Sequence, residues 1–305
     1  MALTVYSNSN EYQGGPCVLT IGNFDGVHLG HQALIQKNRK AAERLGLQSV
    51  IYTFEPHPRR VLQPDKHPPR ILSLPDKLAW LEQAGVDQVV VEPFDSVFSM
   101  HPANWFAREI IAKRMQAQSV VVGHDFRFGK GREGNAEVLR SLLPHVPVEG
   151  LEAIRLGDVV VSSSRIRECV AGGDIETAAA LMGRPYFVRG TVVPGSARGR
   201  ELGFPTANLE VENELIPGRG VYAVRVEIGD TLHNGVANLG VRPTFGRHQF
   251  CMEVHVLDLE DDLYNQRLRV GFIEKIRAEK RFESAEELVQ QIQRDIHHAR
   301  DLLQR

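Results

Sequence analysis

Ten residues decide the fold of the first half of the chain: Gly22-Asn23-Phe24-Asp25-Gly26-Val27-His28-Leu29-Gly30-His31. They follow the apolar run Cys17 to Ile21 and lead into a helical pattern that ends at Leu45. A strand, a glycine-rich turn and a helix in this order are typical of the first βα unit of an open parallel sheet, where ligands bind at the carboxyl ends of the strands. Glycines permit close backbone approach, and free N–H groups at a helix start attract anions. The stretch therefore predicts a phosphate-binding turn.

The two histidines of this turn are candidates for the chemistry. They are three positions apart, so both imidazoles can point to the same side of a helical turn. Two imidazoles beside a polyphosphate suit electrostatic stabilisation of a phosphoryl transition state. Chance yields about 0.04 His-x-Gly-His matches in a chain of this composition. We expect Asn23, Gly26, His28 and His31 to contact phosphate groups; the alternative is an ordinary βα turn with two polar histidines.

Short β-branched runs alternate with helical patterns as far as Val161, which predicts repeated βαβ units. The runs are continuous, as is typical of strands buried on both faces of a parallel sheet. The expected strands are Cys17–Ile21, Ser49–Phe54, Gln88–Val91, Ser119–Val122 and a weaker one near Val146. The expected helices are His31–Leu45, Pro75–Ala84, Ala103–Ala117, Ser164–Val170 and Asp174–Met182. The first half is therefore predicted to be an α/β domain with a doubly wound parallel sheet.

The pattern changes at Gly183-Arg184-Pro185, and this position divides the chain into predicted domains of residues 1–183 and 184–305. The second half is predicted to be mostly antiparallel β-structure. Its expected strands are Phe187–Val193, Val221–Ile228, Leu232–Ala237, Phe250–Leu257 and Leu268–Ile273. A capping box, Ser284-Ala285-Glu286-Glu287, predicts the start of a C-terminal amphipathic helix.

Composition excludes several classes of protein. The chain has 36 Lys+Arg and 38 Asp+Glu, a net charge of −2, so no global positive field attracts it to nucleic acid or acidic membranes. Three cysteines without a close pair argue against a disulfide framework. The N-terminus lacks a signal-peptide pattern, and no stretch approaches 18 apolar residues. We expect a cytoplasmic protein with small-molecule partners, no nucleic acid and no membrane.

Two later segments of the first half also follow predicted strands. The first is Gly123-His124-Asp125-Phe126-Arg127-Phe128-Gly129, and the second, Ser162 to Arg167, starts a predicted helix. Hydroxyl groups, a helix N-terminus and the guanidinium groups of Arg165 and Arg167 can together hold di- or triphosphate oxygens. Alone, the second segment would indicate a capped, solvated helix start; beside the His-x-Gly-His turn it indicates a phosphate contact.

The second half contains a glycine-rich basic segment, Pro194 to Asn208, that could wrap an anionic group with its backbone N–H groups. Thr206 and Asn208 are hard oxygen donors two positions apart, so they share a face in an extended segment, as Mg²⁺ bound to a nucleotide requires. We expect Gly199, Thr206 and Asn208 to bind Mg²⁺ together with a nucleotide. The alternative is a glycine-rich hairpin loop and an ordinary Pro-Thr-Ala-Asn turn.

Glu253 lies in the apolar run Cys251 to Val256. A carboxylate in such a strand can act as general base toward a substrate hydroxyl if it faces a ligand cavity. The alternative is a position on the solvent face of the strand.

In order along the chain, these motifs resemble the bacterial bifunctional riboflavin kinase/FAD synthetase family. In the first half, which is similar to the HIGH-type nucleotidyltransferases, the resemblance lies in Gly22 to His31, Phe54-Glu55-Pro56-His57-Pro58, Gly123 to Gly129 and Ser163 to Arg167. In the second half it lies in Leu202 to Asn208, Gly220-Val221-Tyr222, Arg242-Pro243-Thr244-Phe245 and Glu253-Val254-His255.

The resemblance implies two reactions that both use ATP and Mg²⁺. A C-terminal β-barrel with a terminal helix would phosphorylate riboflavin to FMN, and the N-terminal domain would transfer an adenylyl group from ATP to FMN, giving FAD and pyrophosphate. The implied phosphate contacts are His28, His31, Ser164, Arg165 and Arg167, and Asp125 would line the nucleotide site. Thr206 and Asn208 would contact Mg-ATP, and Glu253 would activate the ribityl 5′-hydroxyl. Phe126 and Phe128 could offer their faces to a flavin ring or belong to the core.

Two other interpretations fit part of the sequence. The first half could adenylylate another phosphorylated acceptor, with the β domain as an accessory binding module. The β domain could instead bind single-stranded nucleic acid through Arg198, Arg200 and Arg247, but the net charge of −2 argues against this. Self-association is not readable from the sequence.

Overall fold

The structure is a computed structural model that describes residues 2–195, 199, 202–244 and 247–304, with the backbone alone for 242–244 and 247–249. The chain divides into two compact units, residues 1–163 and 164–305. Within the described residues, no helix is both long and apolar enough to cross a membrane.

Unit 1 contains a six-stranded sheet with the order β1-β4-β3-β2-β5-β6, in which every pair of neighbours is parallel. Its strands are β1 Thr4–Tyr6, β2 Cys17–Ile21, β3 Gln48–Glu55, β4 Gln88–Pro93, β5 Ala117–Gly123 and β6 Val148–Leu151; a separate two-stranded ribbon pairs β7 Arg155–Leu156 with β8 Val159–Val160. The chain runs outward from β2 through β3 and β4, and then returns to place β5 on the other side of β2. The carboxyl ends of β2 and β5 thus form the topological switch point, where open α/β sheets bind ligands.

The helices that precede the barrel in the chain are α1 Leu29–Leu45, α2 Pro58–Leu62, α3 Leu74–Gln83, α4 Ala103–Trp105, α5 Ala136–Leu142, α6 Ser163–Gly172 and α7 Ile175–Met182. Short 3₁₀ turns lie at Phe98–Met100 and Lys130–Arg132, and α4 continues as a π-helix over Phe106–Arg114. The helix predicted over Ala103–Ala117 therefore ends early, because Ala117 already begins β5. β1 was not predicted, since a three-residue strand with two exposed positions carries no hydrophobic pattern.

Burial of both faces of the sheet confirms the doubly wound α/β prediction. Every residue of β2 is buried. One face packs against the helical residues Phe106, Ile110 and Leu139. On α1, Asn38 donates to the carbonyl of Val18 at 3.0 Å and accepts from the Ser49 hydroxyl, which fixes that helix to the sheet.

Unit 2 contains a closed barrel with the strand order β10-β13-β12-β11-β14-β9, in which neighbours are antiparallel. Its strands are β9 Tyr186–Val193, β10 Ala207–Val211, β11 Gly220–Ile228, β12 Thr231–Thr244, β13 Arg247–Val256 and β14 Arg267–Arg277, and α8 Ala285–Leu303 closes the chain. The prediction of an antiparallel β domain with a C-terminal helix is confirmed. At the start of α8, Ser284 accepts from the N–H of Glu287 at 3.1 Å, as the capping box predicts.

The side of the barrel on which a residue lies follows from strand register. Leu209, Met252 and Leu239 pair across β10, β13 and β12 and are buried, so they point into the barrel. Because side chains alternate along a strand, their sequence neighbours point outward. The outer face of these strands is therefore the polar one.

The boundary between the two compact units falls between Ser163 and Ser164 in the sequence. Apart from Ser163, α6 belongs to the same unit as the barrel, and so does α7. The backbone N–H of Gly218 donates to the carbonyl of Val170 at 2.9 Å, which connects the end of α6 to the loop before β11. The domain boundary at 183/184 stays a prediction.

Candidate active sites

The turn between β2 and α1 has a constrained backbone. Its first residue, Gly22, donates to the carbonyl of Tyr52 on β3 at 3.0 Å. Gly26 has φ 91°, and two residues that are not glycine, Phe24 (φ 50°) and Val27 (φ 39°), also lie in the left-handed region. Such conformations cost on the order of 1–3 kcal/mol each for non-glycine residues and persist only where the surroundings hold them. The strain occurs at the switch point, where a ligand is expected.

His28 and His31 lie face to face in this turn, with ring centroids 3.6 Å apart and ring planes 14° from parallel. His28 is the N-cap of α1, because its Nδ1 accepts from the backbone N–H of His31 at 3.3 Å. It is buried, whereas His31 is partly exposed. An accepting Nδ1 places the proton of a neutral His28 on Nε2.

Asp25, which sequence reasoning did not select for a function, fixes the turn from the other side. Its buried carboxylate accepts from the backbone N–H of Ile71 at 3.0 Å and from that of Leu72 at 3.3 Å. Its carbonyl accepts from the hydroxyl of Ser163 at 2.8 Å, and Ser163 is the first residue of α6. The predicted contacts Ser164, Arg165 and Arg167 follow on that helix, where Arg165 pairs with Glu168 at 3.2 Å.

The segment after β5 places the two predicted flavin contacts in different environments. The rings of Phe126 and Phe128 stack, with centroids 5.3 Å apart and planes 19° from parallel. Phe128 is 7% exposed and packs against Phe106 in the core, whereas Phe126 is partly exposed at its edge. Asp125 is exposed directly after the strand end. Phe126 is therefore the ring of the pair with surface available to a ligand.

The carboxyl end of β3 carries a second group of charges at the same edge of the sheet. Glu55 precedes a cis peptide bond to Pro56 and pairs with Arg70 at 3.1 Å. His57 caps the short helix α2 by accepting from the N–H of Arg59 at 3.1 Å. Lys77 on α3 is buried beside this group. Sequence reasoning selected neither Arg70 nor Lys77. Lys77 lies one helical turn before the apolar Leu81, and this spacing could have indicated that Lys77 is on the buried face of α3.

In the barrel, strand register brings the predicted base beside a predicted metal ligand. Glu253 pairs with Asn208 on β10 and with Asn238 on β12, so the three side chains form one row on the outer face. All three are partly exposed. Sequence reasoning missed Asn238, whose only signal was its alternation with the inward-facing Ala237 and Leu239.

Two glycines bring the preceding loop against this row. A Cβ on Gly195 would lie 1.9 Å from the amide nitrogen of Asn208, and one on Gly199 would lie 3.1 Å from the hydroxyl of Thr206. The carbonyl of Gly199 accepts from the N–H of Phe204 at 2.8 Å, which folds the loop back on itself. Residues 196–198 and 200–201, with Arg198 and Arg200, lie outside the described residues, as does the side chain of Arg247.

The donor set at this loop fits Mg²⁺ held with a nucleotide. Thr206 and Asn208 offer neutral oxygens, and Asn208 lies opposite Glu253 across the strand pair. Mg²⁺ takes its remaining ligands from water and phosphate. Among the described residues, no group of three or more His, Cys, Asp or Glu side chains could hold a metal by itself. A magnesium ion bound by Thr206 and Asn208 would complete its coordination with water and phosphate oxygens.

Two family models match the chain: FAD synthetase over residues 10–165 and riboflavin kinase over residues 182–303. The relatives that match over nearly their whole length are named for both activities, riboflavin kinase and FMN adenylyltransferase. A bifunctional riboflavin kinase/FMN adenylyltransferase from Escherichia coli K12 is 40% identical over 300 residues, 97% of this chain and 96% of its own length. The chain belongs to this bifunctional family. The relative of the same name from Haemophilus influenzae is 38% identical over 96% of both chains.

A solved structure of the same fold carries a different description. A crystal structure described as a macrolide-efflux protein from Streptococcus pneumoniae has a TM-score of 0.90 and 32% identity, and the match covers 98% of this chain and 99% of that one. That description applies to the pneumococcal protein. For this chain, the two family models and the full-length curated relatives agree on the riboflavin kinase/FMN adenylyltransferase family.

Within this family assignment, the two candidate sites lie in the segments matched by the two models. The His28/His31 turn is inside the FAD synthetase match, and the Asn208–Glu253–Asn238 row is inside the riboflavin kinase match. Arg167 lies just beyond the FAD synthetase match, which ends at residue 165.

Proposed function

We propose that this bifunctional riboflavin kinase/FMN adenylyltransferase forms FMN on the outer face of its barrel and FAD at the turn between β2 and α1. Riboflavin and one ATP give FMN and ADP in unit 2. FMN and a second ATP give FAD and pyrophosphate at the turn between β2 and α1. The proposal rests on the barrel register that sets Glu253 directly beside Asn208.

In the kinase reaction, Glu253 accepts the proton of the ribityl 5′-hydroxyl as that oxygen attacks the γ-phosphorus of ATP, and ADP leaves. Thr206 and Asn208 would hold Mg²⁺, which would supply neutralisation of phosphate charge. The close approach of Gly199 to Thr206 lets backbone N–H groups reach the nucleotide. Asn238, on the other side of Glu253, orients the carboxylate or the ribityl chain by hydrogen bonding.

In the adenylyl transfer, a phosphate oxygen of FMN attacks the α-phosphorus of ATP, and pyrophosphate leaves. The N-terminus of α1 and the turn at Asn23 and Gly26 bind the phosphates, while His28 and His31 stabilise the charge that develops on them. Ser164, Arg165 and Arg167 hold the β- and γ-phosphates. Asp125 lines the nucleotide site, and Phe126, backed by Phe128, offers its exposed edge to the flavin.

A time course with purified protein, riboflavin, ATP and Mg²⁺ tests the two activities together. Chromatography of riboflavin, FMN and FAD should show transient FMN followed by FAD, and chelation of Mg²⁺ by EDTA should stop both steps. FMN without FAD would contradict the adenylyltransferase assignment for FMN and favour another phosphorylated acceptor. Action in the cytoplasm without a nucleic-acid or membrane partner stays a prediction from the sequence.

A further inference from the structure

Lys77 is a lysine buried at the sheet edge that forms the adenylyltransferase site. It lies on α3, is 6% exposed and donates to the hydroxyl of Thr53 at 3.3 Å and to the carbonyl of Phe54 at 3.4 Å. Both acceptors belong to the carboxyl end of β3. Burial lowers the pKa of its ammonium group, while the carboxylates of Glu55 and Asp25 act in the opposite direction. Lysine is rarely buried without a specific partner, so this placement calls for a function.

The contact of Lys77 with Thr53 continues to the phosphate turn. The Thr53 hydroxyl donates to the carbonyl of Asn23 at 3.2 Å, and Thr53 and Lys77 are both buried. Asn23 immediately precedes Phe24, whose φ of 50° is one of the strained angles of the turn. Three groups from α3, β3 and the turn are thus joined in one chain of hydrogen bonds.

We propose that Lys77 is a positioning residue for the nucleotide, which acts through Thr53 on the backbone of the turn at Asn23. Its ammonium group orients the Thr53 hydroxyl, and that hydroxyl holds the Asn23 carbonyl so that Phe24 stays left-handed and the N–H groups of the turn face the phosphates. The inference rests on the proposed binding of ATP phosphates at this turn.

Steady-state kinetics of Lys77→Met provide the test, with FMN adenylylation and riboflavin phosphorylation measured on the same preparation. Because the turn is no longer held, we expect the KM for ATP to rise and kcat to fall, so that kcat/KM for ATP decreases about 30-fold. The KM for FMN should change little. Lys40→Met, an exposed lysine on α1, is the matched control and should leave both activities unchanged. A merely structural loss would reduce the amount of active protein and leave both KM values as they were.

Thr53→Val, which keeps the shape of the side chain and removes its hydroxyl, tests the connection itself. We expect kcat/KM for ATP to fall about 30-fold, as for Lys77→Met, because Lys77 reaches the turn through this hydroxyl. The double variant should be no worse than Lys77→Met, because both substitutions break one path. The inference would be overturned if the two losses in kcat/KM multiplied in the double variant. It would also be overturned if Lys77→Met left the KM for ATP unchanged. If Lys77→Met unfolds below the assay temperature, Thr53→Val and the conservative Lys77→Arg replace it. For these variants too, the change in the KM for ATP is compared with the change in the KM for FMN.

A parallel His28→Asn/His31→Asn variant separates this inference from the proposed site. If the histidine variant retains adenylyltransferase activity, the placement of the phosphates is wrong. If it loses that activity while Lys77→Met and Thr53→Val keep normal kinetics, only the positioning by Lys77 is wrong.

Discussion

At the scale of single residues, His28 combines two functions in the phosphate turn. Its Nδ1 caps α1 by accepting the N–H of His31, and its ring stacks on that of His31. Replacement by alanine would therefore remove the cap and the imidazole together. A substitution that keeps the cap is needed to isolate the chemistry.

His28→Asn should stop FAD formation while leaving stability close to that of the unmodified chain. Asparagine retains an oxygen that accepts from the N–H of residue 31, whereas His28→Ala should in addition cost about 1 kcal/mol of the stability of unit 1. We expect a loss of adenylyltransferase activity on the order of 100-fold for both variants. Thermal unfolding and FAD synthesis from added FMN measure the two effects, and normal FAD synthesis by His28→Asn would refute the phosphate role.

Glu253→Gln should abolish FMN formation while FMN added to the same protein is still converted to FAD. The amide keeps the size of the side chain but cannot accept the ribityl proton, so a loss of about 1000-fold is expected. Glu210→Gln is the control, because Glu210 is exposed two residues beyond Asn208 on the same face of β10. Loss of both activities in a folded Glu253→Gln protein would contradict separate sites.

At the scale of elements, an ion pair with a buried carboxylate connects α8 to the barrel. Arg277 at the end of β14 donates through Nε and Nη2 to both carboxylate oxygens of Asp295 at 2.8–3.0 Å, and Gln291 donates to the same carboxylate at 2.9 Å. The Asp295 side chain is 5% exposed and that of Arg277 is 21% exposed. Removing one charge of such a pair leaves the other without compensation.

Asp295→Asn should destabilise unit 2 by roughly 3 kcal/mol, which corresponds to a fall in Tm of about 8 °C. Asp258→Asn is the matched control: its pair with Arg300 is exposed, and asparagine tolerates the φ of 59° at this position. Differential scanning calorimetry measures both variants. If Asp295→Asn and Asp258→Asn had the same Tm, the pair between Arg277 and Asp295 would not be what holds α8 on the barrel.

At the scale of the whole molecule, the proposed general base of the kinase and the two histidines of the phosphate turn belong to different compact units. Glu253 belongs to unit 2, and the turn with His28 and His31 belongs to unit 1. Released FMN is chemically the same substrate whichever chain produced it. The two activities are therefore separable in one solution.

A mixture of Glu253→Gln chains and His28→Asn/His31→Asn chains should convert riboflavin to FAD, although neither protein does so alone. The double-histidine variant supplies FMN, and the Glu253→Gln variant adenylylates it. The time course of FAD in the mixture, compared with each protein alone, is the measurement. Absence of FAD, with both proteins active on their own substrates, would show that FMN must pass between sites of one chain.

Local patterns predicted most of the elements. β2 was predicted with its observed bounds, and the Ser284 cap of α8 was predicted from the sequence. The sequence predicted β10 only as an extended segment, because Pro-Thr-Ala-Asn has the composition of a turn. The partners of β10, strands β9 and β13, lie far from it along the chain or are separated from it by a long loop. Propensity is weak where pairing decides the conformation.

The sequence by itself determined the order of most elements, the two domain types, and the presence of a glycine-rich turn with two histidines after the first buried strand. These features depend on spacing within a few residues, so periodicity and turn chemistry suffice. Only the tertiary structure placed Asn238 beside Glu253, Asp25 on the N–H groups of Ile71 and Leu72, and Lys77 behind the phosphate turn. Those contacts join residues at least 15 positions apart, and they exist only after strand register and helix docking have brought distant parts of the chain together.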